Sequence, residues 1–232
     1  MNHYAKNSIV GILGLMLILC FVTVPTLAQP KGKKADEATR RSQDAATVFN
    51  EIMGAADKSI PRELVDKAQA IAVFPSVLKA AFIFGGSEGK GVISRRTAQG
   101  WTAPAFFNLG GSSFGAQIGA DKTDYVLLVM NDAGLNGLLG DKFSIGGEVG
   151  VAAGPIGREA SAATDAQLKA AILSYSRSQG LFAGVDLSGT AITPDNKLNT
   201  AVYGMKARDI LSGAGSRTPV SVNIFPETLS RY

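Results

Sequence analysis

Histidine and cysteine, the side chains that most often act as general base, nucleophile or zinc ligand, are scarce in this sequence. The chain has one of each, His3 and Cys20, and both lie within its first 20 residues. The remaining residues therefore hold no imidazole base, no thiolate nucleophile and no Cys/His zinc site. Any chemistry there would have to come from carboxylates, serines, lysines or the backbone.

Carboxylates and serines are the remaining candidates for acid/base or nucleophilic chemistry. The acidic side chains match no calcium-loop spacing, and most lie within two residues of a glycine, where solvated turn carboxylates are expected. The serines have no histidine partner, although a Ser/Lys dyad stays open. The acidic candidates are Glu88, Asp121, Asp124, Asp132, Asp141, Glu148 and Asp186.

The glycine-rich segment Gly85–Gly91 imitates a phosphate-binding loop, in which backbone amides surround phosphate and a lysine neutralises its charge. Here Gly91 stands where magnesium-binding Ser or Thr is required, and β-branched Val92 and Ile93 follow where a helix should begin. A glycine hairpin is the expected structure. We predict a non-enzymatic protein with no catalytic residue, no metal and no cofactor.

Residues 1–28 have the pattern of a secretory signal peptide. Lys6 precedes an uncharged apolar run from Ile9 to Val24, and small residues precede a cleavage position after Ala28. The run is short for the roughly 20 residues that a membrane-spanning helix needs. We therefore expect export to the periplasm or the cell envelope. Acylation at Cys20, as in a lipoprotein, and retention of the segment as an anchor stay open.

The composition of the chain predicts one globular domain. It has 232 residues, of which 46% are hydrophobic and 18% charged, which is enough for a sizeable core. A net charge of +4 is too small to indicate a nucleic-acid binder. We expect a basic linker at 29–35, the domain at 36–204, and a C-terminal extension packed on the domain at 205–232.

Helices are predicted at the start of the domain. From Asp36 onward, apolar residues recur at spacings of three and four, as on the buried face of an amphipathic helix. A second, short helix should follow Pro61, because proline suits a first helical position. The apolar face of the first helix comprises Ala45, Val48, Phe49, Ile52, Met53 and Ala56.

After Pro75, short apolar runs separated by glycines predict an antiparallel meander. Helical segments are expected near 133–139 and 194–203, and the last 20 residues as an extended tail. The predicted fold class is α+β: N-terminal helices, then a glycine-rich, mainly antiparallel sheet or partly closed barrel with a short C-terminal helix. The predicted strands are 81–84, 91–95, 101–108, 113–120, 125–130, 143–153, 170–177 and 181–187.

Glycine inside a strand is costly unless another part of the chain approaches closely, so the glycines in predicted strands indicate tight backbone packing. The stretch from Tyr175 to Gly189 combines dense glycine with alternating apolar residues and predicts two strands joined at Gly180. Core packing is also the favoured interpretation of the aromatic residues. We expect Trp101 to be half-buried at a strand edge.

The Tyr175–Gly189 stretch closely resembles the signature of the SYLF-domain family, a lipid-binding module related to a yeast actin-patch family. Further pieces match in order from about Arg40 to Gly204, including Trp101-Thr102-Ala103-Pro104 and Gly154-Pro155-Ile156-Gly157-Arg158. The chain is identified as a stand-alone, exported bacterial member. The resemblance implies association with anionic membrane phospholipid, of the phosphoinositide type in eukaryotic relatives, with actin binding as a family label.

In the eukaryotic relatives an N-terminal amphipathic helix assists lipid binding, and the matching region here is Asp36–Ala56. Five cations less three acids near its start would contribute about 2 kcal/mol at an anionic surface, so apolar insertion would have to add to them. The alternative is that the apolar face packs on the sheet. The candidate lipid-binding residues are Lys31, Lys33, Lys34, Arg40, Arg41, Val48, Phe49, Ile52, Met53, Lys90, Arg95 and Arg96.

A second hypothesis is a protein-interaction or scaffold module of the envelope, suggested by exposed sheet edges. A hydrolase is the least favoured. The expected partners are anionic phospholipid and an envelope protein, without nucleic acid.

Overall fold

A computed structural model describes residues 32–55, 59–78, 89–111, 122–147, 149–157, 169–178, 180–185, 187, 189–214 and 218–232. Labels are given in chain order to the elements in these ranges. The helices are α1 (Lys33–Met53), α2 (Arg62–Lys67), α3 (Asp132–Leu138), α4 (Asn196–Tyr203), α5 (Ala207–Leu211) and α6 (Ile224–Leu229), with a 3-10 turn at Val220–Val222. The strands are β1 (Ala70–Leu78), β2 (Gly89–Thr97), β3 (Gly100–Trp101), β4 (Ala105–Gly111), β5 (Lys122–Val129), β6 (Phe143–Ser144), β7 (Val151–Ala153), β8 (Ile172–Ser178), β9 (Leu181–Gly184) and β10 (Thr190–Pro194).

The strands form one curled, ten-stranded sheet in the order β6-β10-β4-β2-β1-β5-β8-β7, with β3 added beside β2 and β9 beside β8. Among the strand pairs of these ranges, only β7 and β8 run parallel. The predicted fold class, α+β with N-terminal helices and a mainly antiparallel, half-barrel sheet, is confirmed.

Apolar residues are buried on both faces of the sheet. Along β1, Ile71 and Val73 belong to the layer beneath α1, α2 and α6, whereas Ala72 and Phe74 belong to the layer shared with α3 and α5. Since side chains alternate between faces along a strand, β1 is a continuous apolar run without polar alternation. The central strand is therefore covered on both sides.

The predicted helical faces pack against this sheet. Ala45, Val48, Phe49 and Ile52 of α1 are all buried, and so are Leu64 and Val65 of α2, as the spacing predicted. Ala56 lies outside the described residues. Helix α1 begins at Lys33, three residues before the predicted start at Asp36.

Several other element predictions need correction. The strands β1 and β10 were not predicted, and the strand expected over 143–153 is instead β6 and β7, separated by a turn at Gly146 with φ +79°. The extended C-terminal tail is wrong: the last 20 residues contain the 3-10 turn and α6, whose Phe225 and Leu229 are buried on one face at a spacing of four. Helix α5, just before them, was not predicted either. The predicted strands 81–84 and 113–120 fall outside the described residues.

Glycines pack tightly where Gly154 meets the signature stretch Tyr175–Gly189. An added Cβ at Gly154 would lie 2.5 Å from Tyr175 Oη and closer still to its ring, and one at Gly184 would lie 3.0 Å from Gly154 N. The Tyr175 ring is fully buried and stacks on Phe182, with centroids 5.5 Å apart. Because Gly154 and Gly184 have no side chains, the Tyr175 ring fits against the backbone there. By contrast, Gly150 has no neighbour within 4 Å of its added Cβ, so close approach is not general to the glycine run.

Candidate ligand-binding surface

A buried arginine ties α1 to the rest of the domain. Arg41 is 5% exposed, and its Nη2 lies 2.6 Å from Glu37 Oε1 and 3.0 Å from Asp195 Oδ2. Lys90 at the start of β2 contacts the same Glu37 oxygen from 3.0 Å. The network joins α1, β2 and the residue that caps α4. Arg41 is therefore an internal ion-pair partner and not one of the exposed cations.

The network also favours the ionised form of Glu37. The hydrogen bond from Arg41 is the main cause that holds the pKa of Glu37 below its usual range, with Lys90 acting in the same direction against the effect of burial. Asp195 has a second structural duty, since its Oδ1 accepts the backbone N–H of Leu198 and so caps α4. Glu37 and Asp195 are thus both bound by other groups of the domain.

Four lysines from three elements lie around this network. Lys33 and Lys34 begin α1, Lys197 begins α4 and Lys90 begins β2; all four are exposed. The Lys34 ammonium group lies 3.4 Å from the Lys197 carbonyl oxygen, so the starts of the two helices are in contact. We call this group, Lys33, Lys34, Lys90 and Lys197, the basic end.

The local charge at the basic end is positive. Arg41 offsets part of the negative charge of Glu37 and Asp195, and Asp36 is the third carboxylate nearby. With Arg41, five cations face three carboxylates, a net charge of +2. The N-terminus of the 21-residue α1 adds the partial positive charge of its aligned peptide dipoles.

The solvent-facing stripe of α1 is not basic. After Asp36, the exposed residues of this helix carry one positive and two negative charges: Arg40, Gln43, Asp44, Thr47 and Glu51. Val48, Phe49 and Ile52 lie in the core and Met53 is partly buried against it. The apolar face of α1 therefore packs on the sheet, the second of the two alternatives considered for this helix, and none of those three side chains is exposed for insertion into a bilayer.

The two remaining arginine candidates lie at the other end of β2. Arg96 donates from Nη2 to Val65 O at 3.0 Å and from Nε to Ala68 O at 3.3 Å, and its guanidinium lies 4.3 Å from the centroid of the Trp101 ring. Arg95 Nη1 lies 3.4 Å from Leu211 O. Both side chains are part-buried, and they do not join the basic end. Lys31 lies outside the described residues.

Among the described residues, four large apolar side chains are exposed, and none of them was predicted to be: Leu78, Leu181, Val220 and Ile224. The last two lie close together in sequence. Val220 is 71% exposed and Ile224 is 37% exposed, at the 3-10 turn and the start of α6. This segment lies against α1, because Ser42 Oγ donates to Val222 O at 2.6 Å and Phe49 contacts the Tyr232 ring edge-on. The sequence offered no periodic signal for it, since the pair lies in a segment interrupted by Pro219 and Pro226.

The described ranges contain neither a candidate membrane-spanning helix nor a candidate metal site. Within them, no helix has the length and apolar character needed to cross a membrane. Nor do the same ranges bring three His, Cys, Asp or Glu side chains together as a metal site. Asp124, one of the carboxylate candidates, is bound by Arg177 at 2.8 Å and accepts the Ser76 backbone N–H.

In the part of the chain that the structure describes, charged side chains of the helices pair with those of the sheet and its loops. Residues 110–232, just over half of the chain, match the family model described as Ysc84, Las17-binding protein actin regulator. The chain belongs to this Ysc84 family, which confirms the resemblance to SYLF domains.

Three relatives illustrate the similarity. Yeast (Saccharomyces cerevisiae) LAS seventeen-binding protein 3 is 39% identical over 170 residues, 71% of this chain and 37% of that protein. Yeast Protein YSC84 is 35% identical over 82% of this chain and 41% of its own length. Human SH3 domain-containing YSC84-like protein 1 is 30% identical over 87% of this chain and 58% of its own length. The chain thus spans about two- to three-fifths of the length of these relatives. Of the three names, that of LAS seventeen-binding protein 3 states a binding function.

Proposed function

We propose that this chain is a non-enzymatic binding module that associates with anionic phospholipid through the basic end. The observation that carries the proposal is the convergence of Lys33, Lys34, Lys90 and Lys197 from three elements, while Arg41 offsets the carboxylates beside them. Lysine ammonium groups attract lipid phosphate as point charges without demanding one headgroup geometry. The basic end therefore suits a charged surface better than a single shaped ligand.

The magnitude of this attraction is modest. A net charge of +2 contributes about 2 kcal/mol at an anionic surface, a preference of roughly thirtyfold. Insertion of apolar side chains would have to strengthen it, and the exposed pair Val220 and Ile224 replaces the α1 face in that role. Binding should accordingly weaken as salt rises, because added ions screen exposed charges.

Sedimentation with vesicles tests the proposal. The chain should pellet with phosphatidylglycerol vesicles at low ionic strength and remain in the supernatant with phosphatidylcholine vesicles. Raising the salt to about 0.5 M shortens the screening distance to well under 8 Å and should release it. Absence of pelleting with the anionic vesicles at low salt would contradict the proposal.

We further propose that the chain is exported and acts at the periplasm or the envelope after cleavage at Ala28. The support is the N-terminal pattern of Lys6, an apolar run and small residues. Mass spectrometry of the native N-terminus distinguishes three outcomes: a chain that begins at Gln29, an acylated chain that begins at Cys20, and an intact precursor. Only the first agrees with cleavage at Ala28.

A protein partner is the second candidate function. The support is the name of the yeast relative, a Las17-binding protein, together with the exposed Val220 and Ile224 beside α1. Immobilised chain should then capture one stoichiometric partner from an envelope extract, and the double variant Val220→Ser/Ile224→Ser should lose it. Recovery of no partner would count against this candidate without affecting the lipid measurement.

A further inference from the structure

A surface groove lies at the far end of β2 from the basic end. It runs between the turn that joins β2 to β3 and the end of α5, and its volume is about 430 Å³. This lies within the range of roughly 300 to 1,000 Å³ typical of small-molecule sites. The half-buried ring of Trp101 forms part of its wall, and we call it the Trp101 groove.

The Trp101 ring is held in place before any ligand arrives. The Arg96 guanidinium lies over it at 4.3 Å, and two hydrogen bonds to Val65 O and Ala68 O fix that guanidinium at the end of α2. A cation over an indole face is attractive, and more so when part-buried. An aromatic surface that is already ordered loses little conformational entropy on binding.

The described lining of the groove carries hydrogen-bonding groups but no charge. Gln99, Thr102 and Thr218 contribute amide and hydroxyl groups, whereas the Thr97 hydroxyl already donates to Gly100 O at 2.8 Å and accepts the Gln99 N–H at 3.2 Å. Ala103 and Ile210 are the apolar members. Thr102 Oγ1 accepts the Arg95 backbone N–H at 3.0 Å, which leaves its own O–H to donate. Such a lining offers no counter-charge to a phosphate or a carboxylate.

We infer that the Trp101 groove binds an uncharged, polyhydroxylated ligand, that is, a saccharide unit. A pyranose ring presents a face of C–H groups that packs on an aromatic ring, and its edge carries hydroxyl groups. Threonine hydroxyls and a glutamine amide can both donate to and accept from those hydroxyls. The groove is separate from the basic end, so this inference does not depend on lipid binding.

Trp101 is the only tryptophan of the chain, so its fluorescence reports on the groove directly. We would titrate the full chain with glucose, maltotriose, N-acetylglucosamine and its trimer, each to about 10 mM, ten times a weak Kd of about 1 mM. At least one should give a saturable change in emission. The change should persist at high salt, since no ion pair is involved.

Two variants connect the signal to the groove. Gln99→Ala removes an exposed amide from the turn and should weaken binding at least fivefold, whereas Gln43→Ala, on the exposed stripe of α1, should leave it unchanged. The inference is overturned if none of the four sugars gives a saturable change, or if Gln99→Ala and Gln43→Ala bind equally. Because vesicle sedimentation uses the other end of the molecule, its failure would leave this result intact.

Discussion

Replacement of Gly154 by alanine tests most directly whether this residue must be glycine to make room for the Tyr175 ring. The new Cβ would lie 2.5 Å from Tyr175 Oη and nearer still to the ring carbons, well inside contact distance. The ring cannot retreat easily, because it is fully buried and stacked on Phe182 with planes only 9° apart. Either the strand or the ring must shift out of its packed position.

The expected cost follows from the packing. Overfilling a well-packed core costs typically 1 to 3 kcal/mol, and a fixed ring on the receiving side should bring the loss to about 3 kcal/mol. Gly150 is the matched control, since its added Cβ meets nothing within 4 Å and its φ is not positive. Gly150→Ala should leave stability unchanged or raise it by up to about 1 kcal/mol, through the lower entropy of the unfolded chain.

Urea unfolding followed by circular dichroism measures both variants. The midpoint should fall for Gly154→Ala and stay the same or rise slightly for Gly150→Ala. A double-mutant cycle with Tyr175→Val adds a direct check, because removal of the ring should relieve much of the penalty at Gly154. Equal midpoints for the two alanine variants, or additive losses in the cycle, would refute the packing explanation.

Three further predictions concern buried polar groups. Asn199→Leu should lower the free energy of unfolding by about 2 kcal/mol in urea titrations, because the buried amide accepts the Phe106 N–H at 2.8 Å and donates to its C=O at 3.0 Å; the N–H would lose this partner, whereas the C=O keeps the Asp195 N–H at 2.9 Å. Arg41→Met should lower it by about 2 kcal/mol in thermal unfolding, since Asp195 loses its ion-pair partner and Glu37 keeps only Lys90; the partial exposure of both carboxylates reduces the usual 3 to 5 kcal/mol. Burial raises the pKa of Tyr175 well above its ordinary 10, so this residue should lower stability by up to about 1.4 kcal/mol per pH unit above pH 10, where only the unfolded chain ionises; Tyr175→Phe should reduce this slope without abolishing it, because burial also raises the pKa of Tyr125 and of Tyr203.

Each of these predictions has its own control. Arg40→Met removes the exposed arginine next to Arg41 and should change stability by less than about 0.5 kcal/mol. At neutral pH, Tyr175→Phe should be neutral or stabilising, because the buried hydroxyl has no hydrogen-bond partner in the part of the chain described. A loss for Arg40→Met equal to that for Arg41→Met, or an unchanged alkaline slope in Tyr175→Phe, would contradict the respective reasoning. Asn199→Leu at full stability would show that Phe106 finds other partners.

Local patterns predicted the elements whose one face is polar. The spacing of Val48, Phe49 and Ile52 located the buried face of α1, and short apolar runs separated by glycines located much of β2, β5 and β8. The strand β1 was not predicted because most of its residues are buried on both faces, so polar and apolar residues do not alternate along Ala70–Leu78. Helix α6 was not predicted because Pro226 favoured an extended chain, although proline is tolerated in the first turn of a helix.

The candidate surface was only partly predictable for a related reason. A Glu37–Arg41 pair at a spacing of four is visible in the sequence of a helix. Asp195 lies 154 residues further along, and only the fold brings it to Arg41 and turns that cation inward. Lys197 joins the basic end through the same long-range contact. Trp101 is half-buried beside β2, as expected, but its groove depends on α5, a helix that was not predicted.

The central claim is that the basic end holds the chain on anionic phospholipid. We would compare the affinity of two charge-matched variants for phosphatidylglycerol vesicles: Lys33→Glu/Lys34→Glu/Lys197→Glu at the basic end, and Lys67→Glu/Lys169→Glu/Arg231→Glu at exposed cations away from it. At about 1 kcal/mol per lysine near the surface, the first set should weaken binding at least a hundredfold and the second by less than tenfold. Equal weakening by the two sets would contradict the claim.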